Sequence, residues 1–164
     1  MSLFSWLFSP PLPVGTPAPD FTLTDDTGRV VSLSALRGKP VILIFYPGDR
    51  TPGCTKQLCE FRDRWGPVFD NGIEVFGVNP GSANSHCDFR EVYAIPFSLL
   101  VDEKQHVAKL YKCSGWIVRR TVYMIDADGV IRFARRGMPS PFELLSLVVP
   151  EEEEPPLDAM ASPA

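Results

Sequence analysis

An α/β sandwich built around a mixed β-sheet is the fold that the sequence predicts. Continuous apolar and β-branched runs such as PVILIFY, at 40–46, are typical of strands covered on both faces. Patterns with helical periodicity lie between these runs. Strands that alternate with helices favour an α/β sandwich, and hairpins towards both ends of the chain would make its sheet mixed.

The individual elements follow from alternation, apolar runs and turn signals. FTLTDD and VVSLSAL, separated by an Asp-Thr-Gly turn signal, predict a hairpin over 21–36. Asp128-Gly129 joins TVYMIDA to VIRFARR as a second hairpin. The remaining predicted strands cover 40–46, 73–79, 97–101 and 121–127, and the predicted helices cover about 53–66, 82–94, 103–111 and 140–148, with Pro67 interrupting the end of the first helix.

Length and charge predict one globular unit without a nucleic-acid partner. The 164 residues, of which 45% are hydrophobic, can bury the core of one domain. The net charge is −4, but five acidic residues follow Pro150 without any lysine or arginine. The first 150 residues therefore carry 15 of the 20 acidic residues against all 16 basic ones. A balanced body without a basic stripe gives no reason to expect nucleic-acid binding.

The two ends of the chain differ from the body in composition. We expect an apolar and proline-rich leader at 1–13, a single domain at 14–149, and an acidic disordered tail at 150–164. The opening MSLFSWLF is only eight residues long and has no basic flank, so it predicts neither a membrane span nor a typical signal peptide. A leader that frays or packs on the body is favoured over a peripheral anchor.

Four cysteines, at positions 54, 59, 87 and 113, are too sparse for a disulfide scaffold in a chain of this size. They predict cytoplasmic thiols that include a possible redox pair. A zinc site is not expected, because the C-x4-C interval is awkward on one helix and there is no second close pair. His86 is expected to cap or cover its helix, and no cofactor is predicted.

The stretch PGDRTPGCTKQLC, at 47–59, places a thiol just after a forced turn. Thr51 suits a helix N-cap and Pro52 suits the first helical position, so Cys54 falls in the first turn of the helix that follows the central strand. Unpaired N–H groups and the helix dipole favour an anion there, and thiols at such positions ionise more readily. The sequence therefore predicts a nucleophilic Cys54, in preference to a small buried hydrophobe.

The second thiol of this stretch, Cys59, lies five positions further along the same predicted helix. Residues five apart on an ideal helix are rotated by about 140° and separated by roughly 8.7 Å between Cα atoms. A disulfide requires a Cα separation of about 4.4 to 6.8 Å. If Cys54 and Cys59 are partners, the first helical turns must unwind, and spacing alone leaves a passive Cys59 equally open.

The same stretch resembles the active site of the peroxiredoxins, whose pattern is P-x-x-x-[TS]-x-x-C. Pro47, Thr51 and Cys54 fill that pattern, and TPGCT followed by C-x4-C is similar to the Q-type or bacterioferritin-comigratory branch. The likeness runs from about residue 14 to 137, through segments such as VGTPAPDFTL, SHCDF, IPFSLLVDE and RTVYMIDADGVI. It implies a thioredoxin-like fold, which agrees with the α/β prediction, and a thioredoxin-dependent thiol peroxidase.

The resemblance also implies a role for each matching residue. Cys54 would be the peroxidatic thiolate, Thr51 would hydrogen-bond the peroxide, and Pro47 would shield the sulfur. The essential arginine of the family lies six residues before the aspartate that ends RTVYMID, which selects Arg120 over Arg119. A second thiol, for which Cys59 is preferred over Cys87, would condense with the oxidised sulfur. Cys113 is expected to be a bystander.

The implied partners are hydrogen peroxide, organic hydroperoxides and thioredoxin or a similar dithiol reductant, and the Q-type branch implies a monomer. Gly48 departs from the lysine that Q-type proteins often carry at this position. Two other functions stay open. One is a thioredoxin-like disulfide reductase, which the five-residue offset disfavours because such proteins normally use C-x-x-C. The other is a non-enzymatic thioredoxin-fold binding module.

Overall fold

The computed structural model describes residues 3–147, which form a mixed seven-stranded sheet with helices on both faces. The strand order is β2-β1-β5-β4-β3-β6-β7. β3 pairs in parallel with β4, and β4 with β5, whereas the pairs formed by β1 and β6 are antiparallel. The strands are β1 Thr22–Asp25, β2 Val30–Ser32, β3 Val41–Phe45, β4 Glu74–Asn79, β5 Ser98–Val101, β6 Thr121–Ile125 and β7 Ile131–Arg136.

The central strand β3 is buried along its whole length because both of its faces meet a core. Leu43 and Phe45 point into one apolar cluster, and Ile42 and Ile44 point into the other. This alternation follows from the two-residue period of a strand, and it explains why the sequence of β3 is a continuous apolar run. The predicted mixed sheet, its two hairpins and the central position of 40–46 are confirmed.

The helices divide between the two cores. Residues of α2, α4 and α6 pack in the cluster that contains Ile42, and residues of α5 pack in the cluster that contains Leu43. A sheet covered on both sides in this way exposes only its edges and the ends of its strands to solvent. The helices are α1 Leu3–Phe8, α2 Pro52–Asp63, α3 Trp65–Asp70, α4 Ala83–Tyr93, α5 His106–Leu110 and α6 Pro141–Leu145.

Two helix boundaries differ from the prediction for local reasons. The helix predicted over 53–66 ends at Asp63, and Arg64 leaves the helical conformation at φ −106° and ψ 15°. The expectation that Pro67 stops or kinks this helix is confirmed: Pro67 has no N–H to donate to the Asp63 carbonyl four positions earlier, and the chain breaks at Arg64 before α3 begins at Trp65. The helix predicted over 103–111 begins only at His106, since Lys104 and Gln105 both have a positive φ.

Hydrogen bonds with two arginines and a tyrosine connect the N-terminal segment to the rest of the domain. The Arg119 guanidinium donates to the Ser9 hydroxyl at 2.6 Å, and Arg136 donates to the Ser9 and Pro10 carbonyls. The backbone N–H of Leu12 donates to the Tyr123 hydroxyl at 2.9 Å. No helix within residues 3–147 is long and apolar enough to cross a bilayer, and the acidic tail predicted at 150–164 lies outside these residues.

One edge of the sheet carries three arginines. β7, with the sequence IRFARR, is the outermost strand next to β6. Two of its three arginines are paired with nearby carboxylates: Arg132 contacts Asp126 at 2.6 Å, and Arg135 contacts Glu143. The opposite edge is the three-residue strand β2.

The close packing of the sheet against its helices predicts that Gly77 in β4 cannot accept a side chain. A Cβ atom there would lie 2.6 Å from Leu99 Cδ2 and 3.0 Å from Tyr46 Cε1. We expect Gly77→Ala to lower the free energy of unfolding by about 1–3 kcal/mol in urea titrations. Gly66→Ala is the control, because α3 leaves open space there, and it should stabilise the protein by about 0.5 kcal/mol. Equal effects at the two positions would contradict this packing.

Candidate active site

The loop that follows β3 leads into α2, which begins at the end of the sheet where β3 ends. Thr51 is the N-cap residue in an extended conformation, with φ −71° and ψ 144°, and Pro52 is the first helical residue. The Thr51 hydroxyl does not cap the helix but donates to the Gly48 carbonyl at 3.3 Å. The first N–H groups of α2 therefore donate no hydrogen bond to the N-cap side chain.

Cys54 lies in the first turn of α2 and is fully buried. Its side chain packs in the same apolar cluster as Leu58 and Phe61, which follow at four and seven positions along the helix. This spacing places all three side chains on the helix face that meets the sheet. The Cys54 side chain is therefore directed towards the sheet and away from solvent.

Arg120 approaches Cys54 from the neighbouring strand. It immediately precedes β6, whose first residue, Thr121, is paired with Phe45 at the end of β3. The Arg120 Nη2 donates to the Cys54 sulfur at 3.3 Å, and Nη1 donates to Gln57 Oε1 at 2.8 Å. A guanidinium at this distance stabilises negative charge on the sulfur.

The two arginines that the sequence offered for this site are separated in space. Arg119 points towards the N-terminal segment and contacts Ser9, whereas Arg120 points towards α2. Burial and the neighbouring Arg136 cation lower the pKa of Arg119. Successive residues of an extended chain face opposite sides, which explains why only one of the pair reaches the sulfur.

The other three cysteines occupy different environments. Cys59 is partly buried against the same apolar cluster as Cys54, and Cys87 is exposed on α4. Cys113 is buried below the other face of the sheet, donates to the Tyr111 carbonyl at 3.2 Å, and has its pKa raised by burial. All four cysteines lie within residues 3–147 and are free. Cys54 and Cys59 both lie on the intact helix α2.

A buried hydrogen-bond network below the loop was not predicted. The Asp49 carboxylate accepts bonds from the Tyr46 hydroxyl at 2.8 Å, the Asn79 amide at 3.1 Å, the Ser85 hydroxyl at 2.5 Å and His86 Nδ1 at 2.7 Å. The expectation that His86 caps or covers its helix was wrong, because the ring is fully buried. His86 instead connects α4 to the loop that precedes α2.

The network has a clear effect on the ionisation of its members. Burial alone would raise the pKa of the Asp49 carboxyl, but the hydrogen bonds from His86 and Ser85 outweigh it and lower this pKa to about 2. Burial, together with the Asp49 charge, raises the pKa of Tyr46 well above its usual value. Asp49 is therefore an anion and Tyr46 a neutral donor at physiological pH.

Gln57 and Asp49 are the site residues that sequence reasoning missed. Gln57 lies three positions after Cys54, so helical spacing could have placed it on the same face. The Asp49 network joins β3, β4 and α4, and only the tertiary structure brings these elements together. Within residues 3–147, no group of three or more His, Cys, Asp or Glu side chains is arranged to hold a metal ion.

The fold and the site define a class: a sheet covered by helices on both faces, with a cysteine in the first turn of the helix that follows its central strand. The AhpC/TSA family model matches residues 14–134. The chain is 44% identical over 123 residues to the putative chloroplastic peroxiredoxin Q of Oryza sativa subsp. indica, covering 73% of this chain. It is 43% identical over 129 residues to the putative peroxiredoxin bcp of Coxiella burnetii, covering 72% of this chain and 84% of that protein. The chain therefore belongs to the AhpC/TSA family, among its peroxiredoxin Q and bcp members.

Solved structures confirm the predicted thioredoxin-like fold. The peroxidoxin BcpB of Mycobacterium tuberculosis superposes with a TM-score of 0.72 at 32% identity, covering 77% of this chain and 87% of that chain. Xanthomonas campestris peroxiredoxin Q superposes with a TM-score of 0.73 at 21% identity, covering 78% of this chain and 89% of that chain. The chain spans 57% of the length of the rice relative.

The lowered pKa of Asp49 predicts a specific dependence of stability on pH. Because the folded pKa of about 2 lies below the unfolded one, the carboxylate stabilises the fold above the unfolded pKa. This stabilisation is lost as the pH falls through the folded pKa. In urea titrations, the free energy of unfolding of the wild type should exceed that of Asp49→Asn. This difference should shrink by about 2 kcal/mol between pH 6 and pH 2.

Asp88→Asn is the matched control for this experiment. Asp88 is an exposed carboxylate, 3.8 Å from Arg50. Its removal should leave a small difference in stability at every pH, because exposed ion pairs contribute little. If the difference in free energy of unfolding between wild type and Asp49→Asn does not change with pH, the Asp49 carboxylate is not stabilised by its hydrogen bonds.

Proposed function

We propose that the protein is a thiol peroxidase that reduces hydrogen peroxide and organic hydroperoxides. The observation that carries the proposal is the Arg120 guanidinium, whose Nη2 lies 3.3 Å from the Cys54 sulfur at the N-terminus of α2. The names of the rice and Coxiella burnetii relatives, both peroxiredoxins, support peroxide as the substrate.

The first step is an attack by the Cys54 thiolate on one peroxide oxygen. The O–O bond breaks, the sulfur becomes a sulfenic acid, and the departing oxygen leaves as water or an alcohol once it has gained a proton. Negative charge builds on this oxygen, so donors already directed at it lower the barrier. Arg120, the Thr51 hydroxyl and the first N–H groups of α2 would supply these donors, and Pro47 would shield the sulfur from water.

The second step would join Cys54 to Cys59. The Cys59 thiol condenses with the sulfenic acid, which forms a disulfide and releases one water molecule. Because residues five apart on a helix are separated by roughly 8.7 Å, the first turns of α2 must unwind for this bond to form. Opening at a helix end costs little compared with global unfolding. An external dithiol then reduces the bond by exchange and is itself oxidised.

The partners and the location of the protein belong to the same proposal. The reductant would be a thioredoxin-type dithiol, which can reduce the Cys54–Cys59 disulfide by exchange. Gly48 stands where Q-type proteins often carry a lysine, so the reductant would dock without that positive charge. Four free thiols suit a reducing compartment, and we place the protein in the cytoplasm as a monomer that needs no cofactor.

Substitution of the two cysteines tests the proposal directly. Cys54→Ser should abolish peroxide consumption with thioredoxin and its reductase, because the nucleophile is lost. Cys59→Ser should lose turnover but keep the first oxidation, which mass spectrometry would detect as a stable sulfenic acid. Cys87→Ser is the control and should keep turnover, since Cys87 is exposed on a different helix.

The outcomes also separate the alternatives. Loss of turnover in Cys87→Ser, or a Cys54–Cys87 bond in the peroxide-treated protein, would contradict resolution by Cys59. Reduction of insulin without peroxide turnover would identify a disulfide reductase. A protein without either activity would be a binding module.

Gln57 should contribute to the rate of the first step because it fixes Arg120. Removing the acceptor that holds Nη1 at 2.8 Å frees the guanidinium to leave the sulfur. Gln57→Ala should lower the second-order rate constant for Cys54 oxidation by about tenfold, measured by stopped-flow with hydrogen peroxide. Lys56→Ala, an exposed neighbour on α2, should leave this constant unchanged. Equal rates in the Gln57→Ala variant and wild type would show that Arg120 needs no such support.

A further inference from the structure

The Asp49 carboxylate connects three parts of the fold below the candidate site. Its four donors come from the end of β3, the end of β4 and the first turns of α4: Tyr46, Asn79, Ser85 and His86. The Asp49 side chain is only 5% exposed. Both carboxylate oxygens are used, so the loop that contains Asp49 is fixed to these elements by directional bonds.

Each ring nitrogen of His86 faces a hydrogen-bond acceptor. Nδ1 lies 2.7 Å from Asp49 Oδ2, and Nε2 lies 3.2 Å from the Leu100 carbonyl oxygen. Both neighbours accept hydrogen bonds, and an imidazole ring donates from both nitrogens only when it carries two protons. A His86 ring that carries both protons would satisfy both acceptors and form a buried ion pair with Asp49 that has no net charge.

Gly81 packs closely against this pair. A Cβ atom on Gly81 would lie 3.0 Å from His86 Cε1 and 3.2 Å from Asp49 Oδ2. The backbone N–H of Gly81 donates to the Asn79 side chain at 2.6 Å, which orients the Asn79 amide towards Asp49. The Gly81 backbone thus lies against the pair, in addition to the side chains that bond to it.

The loop above the pair has a strained conformation. Arg50, between Asp49 and Thr51, has a φ of 59°, in the left-handed region that non-glycine residues rarely adopt. Such a residue keeps its conformation when the surrounding structure fixes it. The exposed Arg50 side chain lies 3.8 Å from the exposed Asp88 carboxylate, so the buried contacts of Asp49 are the stronger restraint on the loop.

We propose that the Asp49–His86 ion pair positions the Pro47–Thr51 loop for the reaction at Cys54. The pair would hold the Thr51 hydroxyl and Pro47 in place, and the His86 cation would offset the Asp49 charge, which otherwise opposes negative charge on the sulfur. Tyr46, which interacts electrostatically with both Asp49 and Cys54, connects the pair to the site. This inference rests on the proposed peroxidase function; Asp49 and His86 are positioning residues that do not touch the substrate.

The protonation of His86 can be measured in the wild-type protein, because the chain has only two histidines. Proton–nitrogen spectra of the histidine rings in the reduced, full-length protein at pH 7 should show protons on both ring nitrogens of His86. His106→Gln assigns the signals, since His106 is exposed and outside the network. Asp49→Asn should convert His86 to a neutral ring with one protonated nitrogen. A neutral His86 ring in the wild type would overturn the ion pair.

The effect on the reaction is measured separately for its two steps. In a Cys59→Ser background, oxidation stops at the sulfenic acid, and Asp49→Asn should lower the second-order rate constant with hydrogen peroxide by about tenfold or more. With Cys59 present, the first-order rate of disulfide formation should change by less than about threefold, because that step involves atoms of α2. Asp88→Asn is the matched control and should change neither rate.

The outcomes distinguish this inference from the proposed function. An unchanged oxidation rate in Asp49→Asn, or equal slowing of both steps, would overturn the positioning role in favour of a purely structural one. If the wild-type sulfur does not react with peroxide, the proposed function fails, whereas the nitrogen spectra still decide whether the ion pair exists.

Discussion

The contact between the Arg120 guanidinium and the Cys54 sulfur depends on three independent features of the fold. β6 must pair with β3 in the observed register, so that Arg120 emerges beside the end of the central strand. α2 must begin at Pro52, so that Cys54 falls in its first turn. The helix must also pack on the sheet through Leu58 and Phe61, which directs Cys54 inwards. An error in any one of these features would separate the cation from the sulfur.

Much of the fold could be predicted because its signals are local. The run 40–46 is apolar at every position because it is buried on both faces, and the turn residues at 25–28 and at 128–129 define the two hairpins. The break at Arg64 was signalled by Pro67, whereas the left-handed Lys104 and Gln105 had no such signal. These residue types are compatible with a helix, so packing decides their conformation.

The residues of the candidate site also differ in whether a local sequence signal could predict them. Cys54 and Thr51 could be placed from the turn chemistry around them, and the choice of Arg120 required the family pattern in addition. Asp49 and His86 are 37 residues apart, and the polar character of each is equally consistent with an exposed loop or helix. A buried polar network becomes visible only when its strands and helices are assembled, because each member is satisfied by a distant partner.

The charged side chains of strand β7 affect the behaviour of the protein at high concentration. An outermost strand offers unpaired backbone groups to any other extended chain, which is the usual start of sheet-to-sheet aggregation. Arg132 and Arg135, with their paired carboxylates, place charged side chains along this border, and a second copy that paired with it edge to edge would have to remove water from these groups. The border thus discourages intermolecular strand addition, while the sheet behind it keeps its apolar faces covered.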